Sequence, residues 1–267
     1  MGVWRTGAAW WLAVLLVMPG HAGTLAERFG GDDHGSDTLV LVAGASGDTG
    51  RHIVVQLLEA GYRVRPLTTN AFRARERGGP EVDWLEVDVR DPAAVAEAMH
   101  EVDYVICALG SREARGENSP RYVDYGGVRH LVDAAREAGV RHFVLISSAA
   151  AGPHRDHREN PRLGYVLYWK TRGELYLRAS GLDYTVIGPG RLIGGPAAHS
   201  GILVSSREDY RRASISRADV ARLAVASLVE PAARNKSFAV VNDDELGPDD
   251  WLAALRVLPR DDRPPSR

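Results

Sequence analysis

Three glycines, Gly44, Gly47 and Gly50, follow the apolar run Leu39 to Ala43 and precede a stretch whose apolar residues Ile53, Val54, Leu57 and Leu58 recur at helical spacing. A strand, a glycine turn and a helix in that order make a cradle for the pyrophosphate of a dinucleotide. Gly44 permits the tight turn, Gly47 lets backbone N–H groups approach the phosphates, and Gly50 lets the helix sit close on the strand. The positive end of the helix then faces the anion, and Ser46, Asp48 and Thr49 are the loop side chains beside it. A second signal is the scarcity of lysine. Of the 33 basic residues only Lys170 and Lys236 are lysines. Arginine stays protonated, whereas lysine can shift its pKa and acts as a compact point charge. Lys170 is therefore marked for chemistry, while Lys236 reads as a solvated loop residue. The single cysteine, Cys107, excludes an internal disulfide and a cysteine-cage zinc site, and reads as a small core residue; no metal site is expected.

The elements that must position these residues follow in order. Tyr62 to Leu67 is a second strand, whose end separates the two nicotinamide cofactors: a carboxylate accepts ribose hydroxyls, a basic residue pairs with a 2′-phosphate. Here Thr68-Thr69-Asn70 is followed by Arg73, Arg75 and Arg77, which favours NADP over NAD; the other reading of the arginines is a solvated helix face. Val82 to Val87 alternates as a third strand and ends in Asp88-Val89, where Asp88 either meets an adenine edge or caps the loop. Asp91-Pro92 opens a helix. Val102 to Gly110 is a nearly continuous apolar strand, and its end, Ala108, Leu109 and Gly110, lets the backbone pass under a cofactor ribose. Val123 to Glu137 carries Val128, Leu131, Val132 and Ala135 at helical spacing, and Gly139 ends that helix before a fifth strand, Arg141 to Ile146. Such alternation predicts an α/β fold, a Rossmann-type doubly wound parallel sheet, with a small C-terminal region covering the substrate. Ser147, at the carboxyl end of the fifth strand, stands where open α/β sheets place ligands.

With 267 residues, 45% hydrophobic and 25% charged, the chain suits one large α/β domain over 38–258. A net charge of −2 gives no general pull toward nucleic acid. Arg5, the apolar run Ala8 to Met18 and the small residues of Pro19 to Gly23 predict a signal peptide or anchor over 1–23, hence export or attachment to a membrane. The other reading is a misassigned start ahead of a cytoplasmic enzyme. Residues 24–37 read as a linker and 259–267 as a polar, frayed tail; a monomer or homodimer with a small-molecule substrate is expected.

Together these segments resemble the atypical short-chain dehydrogenase/reductases, in their NmrA-like or NAD(P)H-binding group. The likeness runs from Leu39 to about Val241. It rests on Gly44-x-x-Gly47-x-x-Gly50, Val123-Asp-Tyr125, Ala138-Gly-Val-Arg-His-Phe-Val-Leu-Ile-Ser-Ser148, Ser180-Gly-Leu-Asp-Tyr-Thr-Val-Ile-Gly-Pro-Gly190 and Ile215-Ser-Arg-Ala-Asp-Val-Ala221. The resemblance implies an NAD(P)H-dependent oxidoreductase passing hydride to a small carbonyl, quinone or flavin-like acceptor. It also implies that a Ser after the fifth strand helps a Tyr donate a proton, while a Lys four residues after that Tyr binds the nicotinamide ribose and lowers the Tyr pKa. Ser147 and Lys170 match; position 166 is valine, so the Tyr is missing, with Tyr165 and Tyr168 flanking it. On a helix Tyr165 lies nearer the lysine's face, and the proton donor falls to Tyr165, Tyr168 or the loop histidines His154 and His157. Relatives carry Arg at the position of Gly188, and Arg191 is either its substitute or a surface residue. Asp219 is expected to brace the site, with Ser216 as the N-cap of the following helix. The missing Tyr leaves an alternative of another class, a non-catalytic NAD(P)-binding redox sensor or assembly module.

Overall fold

Leu39–Ala43 (β1) is buried at every residue, as a parallel strand covered on both faces must be. The computed structural model describes residues 37–77, 82–153 and 161–262. β1 lies inside a sheet of eight strands. On one side stand β2 (Arg63–Thr68) and β3 (Leu85–Glu86); on the other follow β4 (Tyr104–Cys107), β5 (His142–Ile146), β6 (Tyr184–Pro189), β10 (Lys236–Asp243) and β8 (Gly201–Ser205). All neighbours pair in parallel except β8, which runs antiparallel to β10. Leu41 faces Arg65 of β2 and Val105 of β4. Strand order therefore reverses about β1, and the crevice beyond its carboxyl end is the topological switch point where such sheets bind ligands. The doubly wound sheet read from the sequence is present.

The pleat sends alternate residues of each strand to opposite layers. Val40 and Val42 pack with Ile53 and Leu57 of α1 (Asp48–Glu59) and Leu223 of α6 (Arg217–Ser227). Leu41 and Val105 pack on the other face with Val95 of α3 (Pro92–Ala98), Leu131 of α4 (Val128–Glu137) and Leu177 of α5 (Val166–Arg178). The short helix α2 (Ala71–Glu76) follows β2, and α7 (Trp251–Val257) buries Trp251 near the end of the chain.

Several expectations change. The third strand shrinks to Leu85–Glu86 at the sheet edge, where Trp84 turns inward and is buried. The helix expected from Val123 begins as a π-helical turn, Arg121–Gly127, before α4. Gly127 ends that turn and lets it pack close on the segment between β3 and α3, since a Cβ there would stand 2.8 Å from Val89 Cγ2. The covering loop after Gly190 contains β7 (Arg191–Ile193) and β8, and β7 pairs in parallel with β9 (Ser214–Ser216) as a second, two-stranded sheet. Lys236 is not a solvated loop residue. It opens β10, is buried, and donates to the Leu255 carbonyl at 2.6 Å. Nor is the start of the tail frayed: Asp261 accepts from Ser237 Oγ at 2.6 Å and from the Tyr184 hydroxyl at 2.9 Å. Cys107 is buried, and burial pushes its thiol up to about 12, as suits a core residue. No helix of the described residues is long and apolar enough to cross a membrane. The segment 1–23, the linker to Ser36, His154, His157 and residues 263–267 lie outside the described residues.

Candidate functional site

At the switch point the three glycines bring β1, β4 and α1 into backbone contact. Gly44 has φ +77°, and a Cβ there would lie 2.7 Å from the Ala108 carbonyl oxygen at the end of β4. A Cβ on Gly50 would fall on the Gly44 carbonyl itself. Gly47 donates its N–H to that carbonyl at 3.0 Å and is the N-cap of α1, so no side chain caps the first turn of the helix. A cavity of about 520 Å³ opens here. Gly44, Ser46, Gly47, Asp48 and Thr49 form one wall, and Ala108, Leu109 and Gly110 the other. Gly50 lies buried beneath.

The end of the cavity beside β2 is basic. Thr69, Arg73 and Arg77 line it, and Thr68 Oγ1 donates to Ser46 Oγ at 3.0 Å, tying the strand end to the glycine loop. Asn70 caps α2 by accepting the Arg73 N–H at 2.7 Å. The Glu86 carboxylate accepts the Ala71 N–H at 3.2 Å and does not line the cavity. Asp88 and Val89 do not line it either. Asp88 accepts from Arg90 Nε at 2.9 Å and borders a separate groove with Arg90 and Tyr122; hydrogen bonds from Arg90 hold its carboxyl below the usual range. Val89 packs against Gly127, and its carbonyl meets His130 Nδ1 at 3.0 Å.

On the opposite side, Lys170 reaches under the β4 exit. Its Nζ is 2.9 Å from Asp124 Oδ1 and donates to the Leu109 carbonyl at 3.1 Å. Burial opposes its charge, but the Asp124 carboxylate outweighs burial and raises its pKa above that of an ordinary lysine. Asp124 is buried in the π-helical turn and also accepts the Ser111 N–H at 2.9 Å. Ser147 donates its hydroxyl proton to Glu174, one turn beyond Lys170 on α5. Glu174 is itself buried and pairs with Arg207 at 3.2 Å. The structure does not place the tyrosines on the lysine. Tyr165 precedes α5 in the left-handed region, φ 57°, so helical spacing to Lys170 does not apply to it. Tyr168 packs edge-on against Trp169, and both tyrosines are exposed.

Arg207, from the segment after β8, takes the space over Gly188, where a Cβ would fall on its guanidinium. It donates to the carbonyls of Ser148 and Ala151. Arg191 is exposed in β7 and does not occupy that place. Sequence reasoning missed Glu174 and Arg207, and quoted Asp124 only as part of a motif; a lone acid among apolar helix positions was the available signal for the first and third. Asp219 braces the covering region as expected. It accepts from Ser216 Oγ and Asn242 Nδ2 at 2.9 Å and from the Ala198 N–H at 2.8 Å, while Ser216 caps α6.

A dinucleotide fits this cradle: the turn admits no side chain at Gly44 or Gly50, the first turn of α1 lacks a side-chain cap, and arginines rim the adenosine end. Thr69, Arg73 and the loop from Gly44 to Thr49 line the cavity and would hold it; Lys170 does not line the cavity and stands behind it on the Leu109 carbonyl. A family model described as NAD(P)H-binding matches residues 44–231. An uncharacterised chloroplastic protein of Arabidopsis thaliana is 34% identical, covering 76% of this chain and 75% of that protein. Sanguinarine reductase of Eschscholzia californica is 28% identical over 78% of this chain and 89% of its own length. A putative NAD-dependent epimerase/dehydratase from Bacillus halodurans superimposes with a TM-score of 0.67 at 26% identity, covering 81% of this chain and 99% of that one. A glycine cradle suited to a dinucleotide's phosphates, in a chain matched by that family model along most of its sheet, makes this protein a member of the NAD(P)H-binding family.

Proposed function

We propose that the protein is an NADPH-dependent reductase that passes hydride to a small carbonyl, quinone or flavin-like acceptor. The observation that carries this reading is that one cavity runs from Arg73 and Arg77 across the glycine loop to Leu109, with Lys170 bound beneath Leu109. The reduced nicotinamide, when bound, supplies the hydride. Lys170, held charged by Asp124, serves to fix the backbone at Leu109 and to offer an N–H to a ribose hydroxyl, and is a poor proton donor. Ser147 is engaged by Glu174, which supports the quinone and flavin members of the acceptor class: their reduced anions are delocalised and take protons from water. The likeness to a protein named sanguinarine reductase supports a reductase. Arg73 and Arg77 support NADP as the cofactor, by pairing with a 2′-phosphate.

The test is NADPH oxidation by the full chain with a panel of quinones, flavins and aldehydes. Saturable turnover with at least one acceptor is expected, and Lys170→Ala, which removes a charged hydrogen bond to the ribose, should lower kcat/KM by about ten- to a hundredfold. NADPH binding without oxidation of any acceptor would favour the second reading, a cofactor-bound sensor or assembly module. That reading draws support from the internal partners of Ser147 and Lys170.

A further inference from the structure

Asp48 is the one acid among the described residues lining the glycine-loop cavity, against four arginines, Arg73, Arg77, Arg112 and Arg217. It opens α1, where the helix end stabilises a carboxylate and would equally stabilise a phosphate. Its side chain therefore sits where a dinucleotide's pyrophosphate must come close, carrying the same sign of charge. Arg112, in the segment after β4, reaches back to it: Nη2 is 3.5 Å from Asp48 Oδ2. Arg51, one turn along α1, approaches Oδ1 at 3.6 Å. The Asp48–Arg112 pair thus joins the two lips of the switch point, the turn leaving β1 and the exit of β4. Both residues line the cavity itself.

Both side chains are open to water, Arg112 at 68% and Asp48 at 47%. An exposed pair at this separation is screened and holds weakly, whereas a phosphate offers a guanidinium a stronger, two-pronged partner. We propose that Asp48 and Arg112 form an electrostatic latch across the mouth of the cavity, which opens when the pyrophosphate of an entering dinucleotide takes Arg112 from Asp48. Arg51 remains beside Asp48 and keeps it paired once Arg112 has left. A ligand without phosphates at this point has nothing with which to displace Asp48, so the latch selects dinucleotides over nucleosides. The inference rests on the cavity being the dinucleotide site.

Calorimetric titration of NADPH and NADH into the full chain tests it, comparing wild type, Asp48→Asn, Arg112→Ala and the double variant at one ionic strength. Both side chains are exposed, so the variants should keep the wild-type circular dichroism. Asp48→Asn should tighten NADPH binding about fivefold, because it removes both a competitor for Arg112 and a like charge. Arg112→Ala should weaken it about tenfold, and by a larger factor in the Asp48→Asn background, where no prior pair has to break. If Asp48→Asn weakens binding, Asp48 orients Arg112 instead of competing for it, and the latch is overturned. Unchanged affinity in either single variant overturns it as well, while leaving the dinucleotide site intact. Failure of the wild type to bind either cofactor would instead overturn the site itself, and the latch with it.

Discussion

At the scale of residues, the chain hides charge and polarity in pairs whose members come from distant segments. His142 is the sharpest case. It is fully buried in β5, and its Nε2 meets Thr185 Oγ1 at 2.9 Å. Thr185 gives its own proton to the Ala233 carbonyl at 2.8 Å. Its oxygen therefore accepts from His142, which fixes the Nε2–H tautomer and leaves Nδ1 buried without a partner. A second proton on Nδ1 would have no acceptor. Burial, helped by the Arg234 guanidinium, accordingly lowers the pKa from 6.5 to about 4, against the opposing pull of Asp183. Between these two values the unfolded chain binds the proton and the folded one does not, so stability rises with pH across that window. It should be fully present above pH 6.5 and fall as the pH drops toward 4, by up to about 3 kcal/mol. Urea unfolding at pH 7.5 and pH 5 measures the difference, and His142→Gln should remove most of this slope. A slope that survives the substitution would assign it to other groups.

At the scale of elements, the glycine turn is the joint that carries the most constraint. A Cβ on Gly50 would fall on the Gly44 carbonyl and stand 2.8 Å from the Ala45 Cα, with backbone on both counts and nothing flexible to yield. Gly50→Ala should therefore push α1 off β1, lower stability by about 2 kcal/mol or more, and reduce dinucleotide affinity more than Gly61→Ala. At Gly61, φ is +84° but no atom lies within 4 Å of the added Cβ, so that variant controls for backbone strain alone. Equal losses in the two would mean that close packing at Gly50 is not what shapes the cradle.

The same contrast explains what could be read from the chain. Gly44, Gly47 and Gly50 were legible because backbone approach and left-handed φ admit few other residues. Ala108 to Gly110 followed from the strand that carries them, and all line the cavity. Of the two readings of Asp88 the structure shows the loop cap: its Oδ1 accepts the Arg90 N–H at 2.9 Å, and the same arginine's side chain engages the carboxylate. The alternation from Val82 to Val87 promised a full strand, but an edge position with one partner sustains only Leu85–Glu86. Glu174 and Arg207 lie in segments 33 residues apart. Periodicity assigns a side chain to a helix face and leaves open which charge stands opposite. The site's polar half was hidden for that reason.

At the scale of the molecule, two layers of helices press on one sheet, and everything proposed for function converges on the crevice between β1 and β4. The second sheet, β7 with β9, closes the far end: Leu192 and Arg217 line the cavity, and Asp219 ties the segment that follows β7 to Asn242 of β10. A ligand there contacts both halves of the chain, so cofactor binding and global stability must be linked. The most direct measurement is a calorimetric titration of the purified full chain with NADPH and with NADH, repeated on Arg73→Ala/Arg77→Ala. One site per chain is expected, with NADPH bound at least about tenfold more tightly than NADH and that margin lost in the double variant, since a charged hydrogen bond contributes about 1.5–3 kcal/mol. Absence of binding to either dinucleotide would contradict the cofactor site, and an NADH preference that the double variant leaves unchanged would contradict the role given to the two arginines.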